Sequence, residues 1–367
     1  MSKYELSLSK DYVPNWNVVD AVRELFQNAL DQQTVKSDNE MFFDYDNDKQ
    51  VLSIGNKSSI LDVKTLLLGS STKRNDPNTI GQFGEGYKIA TLVLTRLGKK
   101  VTFYNYGARE VWNPRFVKAR RYGGEEILTF FIDKKFIWSK VPDNDLTITI
   151  EGITENEYED IVESNLHLQD VGKTIESKLG RVLEEEKYRG MVFVNGLFVC
   201  DYKEYTQGYD FKPEYINIDR DRKLADSFEL RWLSSKMLKS VESAKTVDLI
   251  KNNAADVQYI ASVDGSNRIF DKVYDDFLYE NGESAIPVTN QDDYNRISKS
   301  TTHKPVYVSE SYASSIKKSH KYTEPLIKVE IKETINSRLI KWLDIHKQSL
   351  SNKAIRQLEE IIDDITE

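Results

Sequence analysis

The sequence contains a single cysteine, Cys200. An internal disulfide is therefore excluded, and its apolar setting, Leu197-Phe198-Val199-Cys200, predicts a thiol packed in the core. Nowhere does an apolar run approach the roughly 18 residues that a membrane helix needs, and residues 1–10 are polar without a signal-peptide core. A cytoplasmic protein without membrane contact is expected. Positive charge is also short: 51 Lys and Arg against 59 Asp and Glu leave a net charge of −8, which argues against a broadly basic nucleic-acid surface. No internal repeat is visible.

What is present is a chain of 367 residues, 39% hydrophobic and 30% charged, which reads as globular and long enough for two or three domains. Its organising stretch is Arg23-Glu24-Leu25-Phe26-Gln27-Asn28-Ala29-Leu30-Asp31. From about residue 17 to 33, Val18, Val22, Leu25 and Ala29, flanked by Phe26 and Leu30, recur at helical spacing and predict an amphipathic helix. At about 100° per residue, Glu24, Asn28 and Asp31 fall within about 60° of one another and roughly opposite that stripe. Two carboxylates and an amide oxygen on one face can be a solvated surface. They can also hold hydrated Mg²⁺ and activate a water beside a phosphate.

A second stretch favours the phosphate reading. Thr79-Ile80-Gly81-Gln82-Phe83-Gly84-Glu85-Gly86-Tyr87-Lys88 places three glycines ahead of a helical pattern running to Leu97. Glycines there let backbone N–H groups wrap an anion at a helix N-terminus, where the dipole favours negative charge. The spacing is neither that of a P-loop nor that of a dinucleotide fingerprint.

Together the two stretches resemble the GHKL ATPases, the family of gyrase B, the heat-shock chaperone, MutL and the histidine kinases. Glu24 to Asp31 matches the family's N box, E-L-x-x-N-A-x-D, and Gly81 to Lys88 its glycine box in the G-Q-F-G-x-G form. The resemblance implies an α+β ATP-binding (Bergerat) sandwich in residues 1–152 and a transducer-like α/β domain in 153–263; the alternating strand and helix patterns of 264–367 read as an α/β-to-helical region that matches nothing familiar. It implies Glu24 as general base, Asn28 as Mg²⁺ ligand, Asp31 beside the nucleotide, and Gly81, Gln82, Phe83, Gly84 and Gly86 as the phosphate cradle. Residues 70–78 would form a lid, with Lys73 and Lys88 as its cations. The family's D-x-G-x-G box has its best match at Ser53-Ile54-Gly55-Asn56-Lys57, where Ser53 replaces the aspartate that accepts from adenine, so a weaker hold on the base is implied. Thr147 and Thr149, on one face of the strand 146–150, stand where relatives place a threonine near the base. In Asn217 to Lys223, Arg220 matches a second-domain arginine that reaches the γ-phosphate, with Lys223 or Arg222 as substitutes.

The function implied is Mg²⁺-dependent ATP binding and slow hydrolysis that drives lid closure, domain docking and homodimerisation, serving an unidentified protein or nucleic-acid partner. A nucleotide-gated module that binds ATP without hydrolysis is the alternative. A histidine kinase is disfavoured, because Glu24 is present and no helix with a phospho-accepting histidine precedes the domain. Arg115 to Tyr122 is the most basic patch, either a solvated strand edge or a contact for an acidic partner.

Further elements expected are a hairpin at 41–54, strands at 101–106, 110–118, 127–133 and 146–151, and a short helix at 61–68. Two helical patterns are expected across 154–187, the first opened by a Thr154/Glu157 capping box, then a hairpin around Asn195-Gly196 and helices over 224–262. Residues 1–16 are read as a leading segment that, by resemblance, straps a partner subunit.

Overall fold

A computed structural model describes residues 1–67, 85–134, 145–216, 227–300, 302–324 and 333–365. The chain divides into two compact units, one of residues 1–249 and 254–266, the other of residues 250–253 and 267–367. The boundary expected at 152 falls inside the first unit.

That unit begins with β1 (Ser2–Ser9) and α1 (Val18–Val35). Asn17 caps α1 reciprocally with Asp20, each side chain accepting from the other's backbone N–H, a pairing that typically contributes about 1 kcal/mol. There follow β2 (Met41–Asp46), β3 (Val51–Asn56), α2 (Gly86–Arg96), β4 (Lys100–Asn105), β5 (Glu110–Ala119), β6 (Glu125–Lys134) and β7 (Leu146–Glu151). Their seven strands form one sheet in the order β1-β6-β5-β4-β7-β3-β2, every neighbouring pair antiparallel. The α+β layered class expected from the sequence is the class observed.

Pleating sorts this sheet into two faces. Cross-strand register sets Leu52, Ile54 and Asn56 of β3 beside Ile150, Ile148 and Leu146 of β7, and these beside Val101, Phe103 and Asn105 of β4. Leu52, Ile54, Ile148, Ile150, Val101 and Phe103 of that face pack with Ala21, Val22, Leu25, Phe26 and Ala29 of α1 and Ile89, Leu92 and Val93 of α2 into one core. Ser53, Gly55, Thr102, Thr147 and Thr149 therefore take the other face.

The leading segment is part of this sheet. Residues 2–9 pair with β6 at its edge and bury Leu6 and Leu8 in the core, so here the segment serves its own chain. The helix expected at 61–68 is a single 3-10 turn, Val63–Leu66.

After β7 come α3 (Glu155–Glu163), with the expected Thr154/Glu157 capping box, then β8 (Thr174–Ser177), β9 (Gly180–Leu183), β10 (Met191–Val194), β11 (Leu197–Asp201) and β12 (Gly208–Phe211). These five strands form a second sheet, β11-β10-β12-β9-β8. The second helical pattern of 154–187 is a correction: Ile175, Leu179 and Val182 have helical spacing, but the chain turns back on itself. A Cβ on Gly180 would lie 2.0 Å from the Asp210 carbonyl oxygen, so only glycine lets β9 approach β12. The Asn195-Gly196 hairpin forms as expected, both residues at positive φ (50° and 76°). Helices α4 (Ser227–Val241) and α5 (Ala244–Lys251) follow.

The second unit contains α6 (Arg268–Asn281), which the sequence reading passed over, then β13 (Ala285–Val288), α7 (Gln291–Ser298), β14 (Lys304–Tyr307) and α8 (Glu310–Lys317). Strands β13 and β14 pair in parallel across α7. Helices α9 (Ile335–His346) and α10 (Asn352–Asp364) close the described chain.

Candidate functional site

The two helices of the sequence argument meet on the inner face of the large sheet. α2 begins at Gly86, and a Cβ there would lie 2.6 Å from Glu24 Oε2 and 3.1 Å from Asn28 Nδ2. Residues far apart in sequence thus converge at the N-terminus of α2. Its cap residue, Glu85, makes no side-chain hydrogen bond to that end, while its carbonyl accepts from the N–H groups of Lys88 and Ile89.

Glu24 is only 6% exposed and Asp31 2%, so the polar face of α1 is interior and the solvated-helix reading fails. Each group has a defined role in holding the others. Asn28 Nδ2 donates to the Glu24 carbonyl at 2.7 Å, which turns the NH2 end of its amide back onto the helix. Gln27, passed over in the sequence, donates from Nε2 to Asp31 Oδ1 at 2.7 Å and fixes that carboxylate. Lys88 is fully buried, and its Nζ donates to the Leu67 carbonyl at 2.6 Å. Burial lowers its pKa from the ordinary lysine value, opposed by the nearby Glu85 charge.

Ser53, Gly55, Thr147 and Thr149 are not brought to this site. Ser53 is opposite Thr149 and Gly55 opposite Thr147 on the sheet face turned away from α1 and α2, which corrects the expectation that they line one pocket with Glu24. The inner position belongs to Asn56. Its Nδ2 donates to the Ala29 carbonyl of α1 at 2.8 Å and to the Asn39 carbonyl at 2.9 Å. Two residues on, Ser58 adopts a positive φ of 51° and donates its N–H to buried Asp145. The signal was available: Leu52 and Ile54 set the buried phase of β3, and period two carries it to Asn56.

Lys73, Gly81, Gln82, Phe83 and Gly84 lie outside the described residues, as do Arg220, Arg222 and Lys223. Among the described residues, no three His, Cys, Asp or Glu side chains gather into a metal cage.

The same helix is tied to the second sheet. Arg23, adjacent to Glu24, donates to the Phe198 carbonyl of β11 at 3.1 Å and pairs with Asp20. Phe26 stacks on His167 at a centroid distance of 5.6 Å, and His167 Nε2 bonds the Asn195 carbonyl at 2.8 Å. The Asn195-Gly196 turn therefore rests on the helix that carries Glu24. In the basic patch, Arg115 stacks on Phe131 at 3.9 Å and Arg121 pairs with Glu5 at 2.9 Å, leaving less free charge than the sequence suggests.

No family model matches the chain. An uncharacterized protein of Mycoplasma pneumoniae is 26% identical over 230 residues, covering 58% of this chain and 87% of that protein. Among solved structures, the ATPase region of Saccharomyces cerevisiae topoisomerase II bound to ICRF-187 aligns at a TM-score of 0.34 with 8% identity, over 53% of this chain and 72% of that one. The ATPase and transducer domains of Balamuthia mandrillaris DNA topoisomerase II align at 0.31 with 14% identity, over 50% and 60%. No helix among the described residues is long and apolar enough to cross a membrane.

Proposed function

We propose that the chain is a GHKL-type ATPase that binds ATP with Mg²⁺ and hydrolyses it slowly. The observation that carries this reading is the convergence of Glu24, Asn28 and Gly86 at the start of α2. A residue with no Cβ leaves room beside a buried carboxylate and amide, at a helix end suited to anions. The donor set fits Mg²⁺ and phosphate: a hard cation takes the Asn28 amide oxygen, and helix N–H groups take phosphate oxygens. Bound ATP would bring a phosphoryl group open to attack by water, with its charge offset by Mg²⁺.

The work of this chain is then positioning. Glu24 Oε2 accepts the proton of the attacking water, Asn28 is held by its bond to the Glu24 carbonyl, and Asp31 is set by Gln27. Resemblance adds Gly81, Gln82, Phe83 and Gly84 as the phosphate cradle, Lys73 in the lid, and Arg220 and Lys223 as cations reaching the γ-phosphate from the second sheet's domain. The inner position of Asn56 supports it, rather than Ser53, as the group that meets the base. The output is conformational: ATP closes the lid, docks residues 153–263 on 1–152 and promotes homodimerisation, through the Arg23 and His167 contacts to β11 and its turn.

The test is a pair of substitutions. Glu24→Ala should reduce turnover by roughly 10²–10⁴-fold while ATP still binds, and Asn28→Ala should lose both binding and turnover. Turnover at the parental rate in Glu24→Ala would sink the catalytic assignment.

A further inference from the structure

We propose that the open edge of β1 is a docking site for an extended acidic segment of another protein, which adds to the large sheet as a further strand. Among the described residues β1 is the sheet's edge and pairs on one side only, with β6. No hydrogen bond among them reaches the outward peptide groups of residues 3–6. An unpaired edge of this kind is a template for another strand. Here it also borders a groove of about 550 Å³, a size typical of ligand sites. Residues 3–6 form one wall, and Val63, Lys64 and Leu67, at the 3-10 turn, form the other. Leu67 is 66% exposed, so its side chain stands open at the rim as a contact for an apolar residue.

Backbone and charge together identify the occupant. An open ladder is satisfied by extended backbone, which selects a polypeptide over a small molecule. Three cations line the groove, Lys3, Lys64 and Arg121, against one acid, Glu5, in a chain whose net charge is −8. Arg121 is brought there by the turn that ends the basic patch: it pairs with Glu5 at 2.9 Å, and Tyr122 Oη lies 3.1 Å from Ser7 Oγ. Lys3 shares the same carboxylate at 2.7 Å, and Lys64 reaches Asp62 at 3.1 Å, which leaves positive charge in excess. A second copy of β1 fits poorly, since two-fold pairing would gather both sets of cations around one axis. An acidic segment fits, its alternate side chains meeting Leu67 on one face and Lys3 and Arg121 on the other.

The far wall of the groove also braces the candidate site. Thr65 Oγ1 and Tyr87 Oη are 2.9 Å apart, and the Leu67 carbonyl accepts from buried Lys88 Nζ at 2.6 Å, so a shift of the 3-10 turn reaches the first turn of α2. A strand seated in the groove therefore alters nucleotide affinity, and this coupling alone rests on the ATPase reading.

The experiment begins in EDTA without nucleotide. A phage-displayed library of random linear peptides is panned on the full chain, and the selected peptide, made synthetically, is measured by fluorescence anisotropy. Selected sequences should alternate apolar residues with Asp or Glu. N-methylation of every second peptide amide should weaken binding at least about tenfold in one phase and leave the other phase unchanged, because a ladder uses alternate N–H groups. Lys64→Glu with Arg121→Glu, both at exposed positions, should weaken binding by a similar factor while circular dichroism stays parental. Saturating peptide should then shift ATP affinity by at least about threefold, and ATP should shift peptide affinity by the same factor. The proposal is overturned by a library that yields no binder, by selection of basic sequences, by equal effects of the two N-methyl phases, or by a charge-reversed variant that binds like the parent. Peptide binding without the mutual shift removes the coupling, whereas a failure of ATP itself to bind sinks the ATPase reading and leaves the docking site standing.

Discussion

Glu24 on α1 and Gly86 at the start of α2 are packed so that a Cβ on Gly86 would come within 2.6 Å of Glu24 Oε2. Gly86 is helical, so the demand at this position is for space and not for an unusual backbone angle. A glycine that opens an otherwise regular helix gives up roughly 1 kcal/mol of propensity relative to alanine. Its absent side chain leaves room beside the carboxylate.

Gly86→Ala should therefore separate stability from function. Overpacking against Glu24 costs about 1–3 kcal/mol, partly offset by the better helix former, so a modest fall in Tm is expected. ATP turnover should drop by at least about tenfold, because the added methyl displaces the carboxylate proposed as general base. Calorimetry and a phosphate-release assay measure the two separately. Unchanged turnover in a folded variant would remove Gly86 and Glu24 from the site.

Asn56 and Ser53 make opposite predictions. Truncating Asn56 to Ala leaves two buried carbonyls, those of Ala29 and Asn39, without this donor, at a cost of about 1–3 kcal/mol. It should also change the ATP-to-GTP preference. Ser53→Ala, on the far face of the sheet, should alter stability by no more than about 0.5 kcal/mol and leave base preference intact. Nucleotide competition and denaturant unfolding on both variants decide the matter, and a base-preference change confined to Ser53→Ala would return the role to that residue.

Arg220→Ala should lower turnover strongly while ADP affinity stays near that of the parent, since ADP lacks the phosphate this cation is proposed to meet. Alanine variants at Arg222 and Lys223 set the comparison. Small-angle scattering with an ATP analogue against ADP reads the domain response, and a parental response in all three variants would detach this loop from the site.

The thiol of Cys200 is pushed up to about 11 from an ordinary value of 9.0, first by burial and then by the neighbouring Asp201 charge. Alkylation at pH 8 should accordingly be slow compared with an exposed cysteine. Because the folded value lies above the unfolded one, this group's contribution to stability is complete below about pH 9. It is lost as pH rises through about 11. Urea midpoints across that window, for the parent and Cys200→Ala, measure it; equal alkaline slopes would contradict the assignment.

Much of this was legible in local pattern. The stripe of Val18, Val22, Leu25 and Ala29 determined α1, alternation determined the strands from 101 to 151, and Asn195-Gly196 determined its hairpin, because each depends on neighbours a few residues apart. Residues Glu24 and Asn28 were readable for the same reason, being one turn apart on one helix. Their burial was not, since it is imposed by α2 and the sheet, which lie far away in sequence.

Where local pattern and long-range packing disagreed, packing prevailed. Ile175, Leu179 and Val182 carry a helical period, yet Gly180 must lie against the Asp210 carbonyl, and the segment became two strands. Residues 2–9 carry no helical signal and read as a loose leader until β6 offers an unpaired edge. The shift from Ser53 to Asn56 divides differently: Leu52 and Ile54 mark the buried phase of β3 in the sequence by itself, while only the tertiary structure decided that the Ala29 carbonyl of α1 lies at the end of that phase. Alternation tells which face of a strand is buried, but what packs on that face is set by residues far away in the chain.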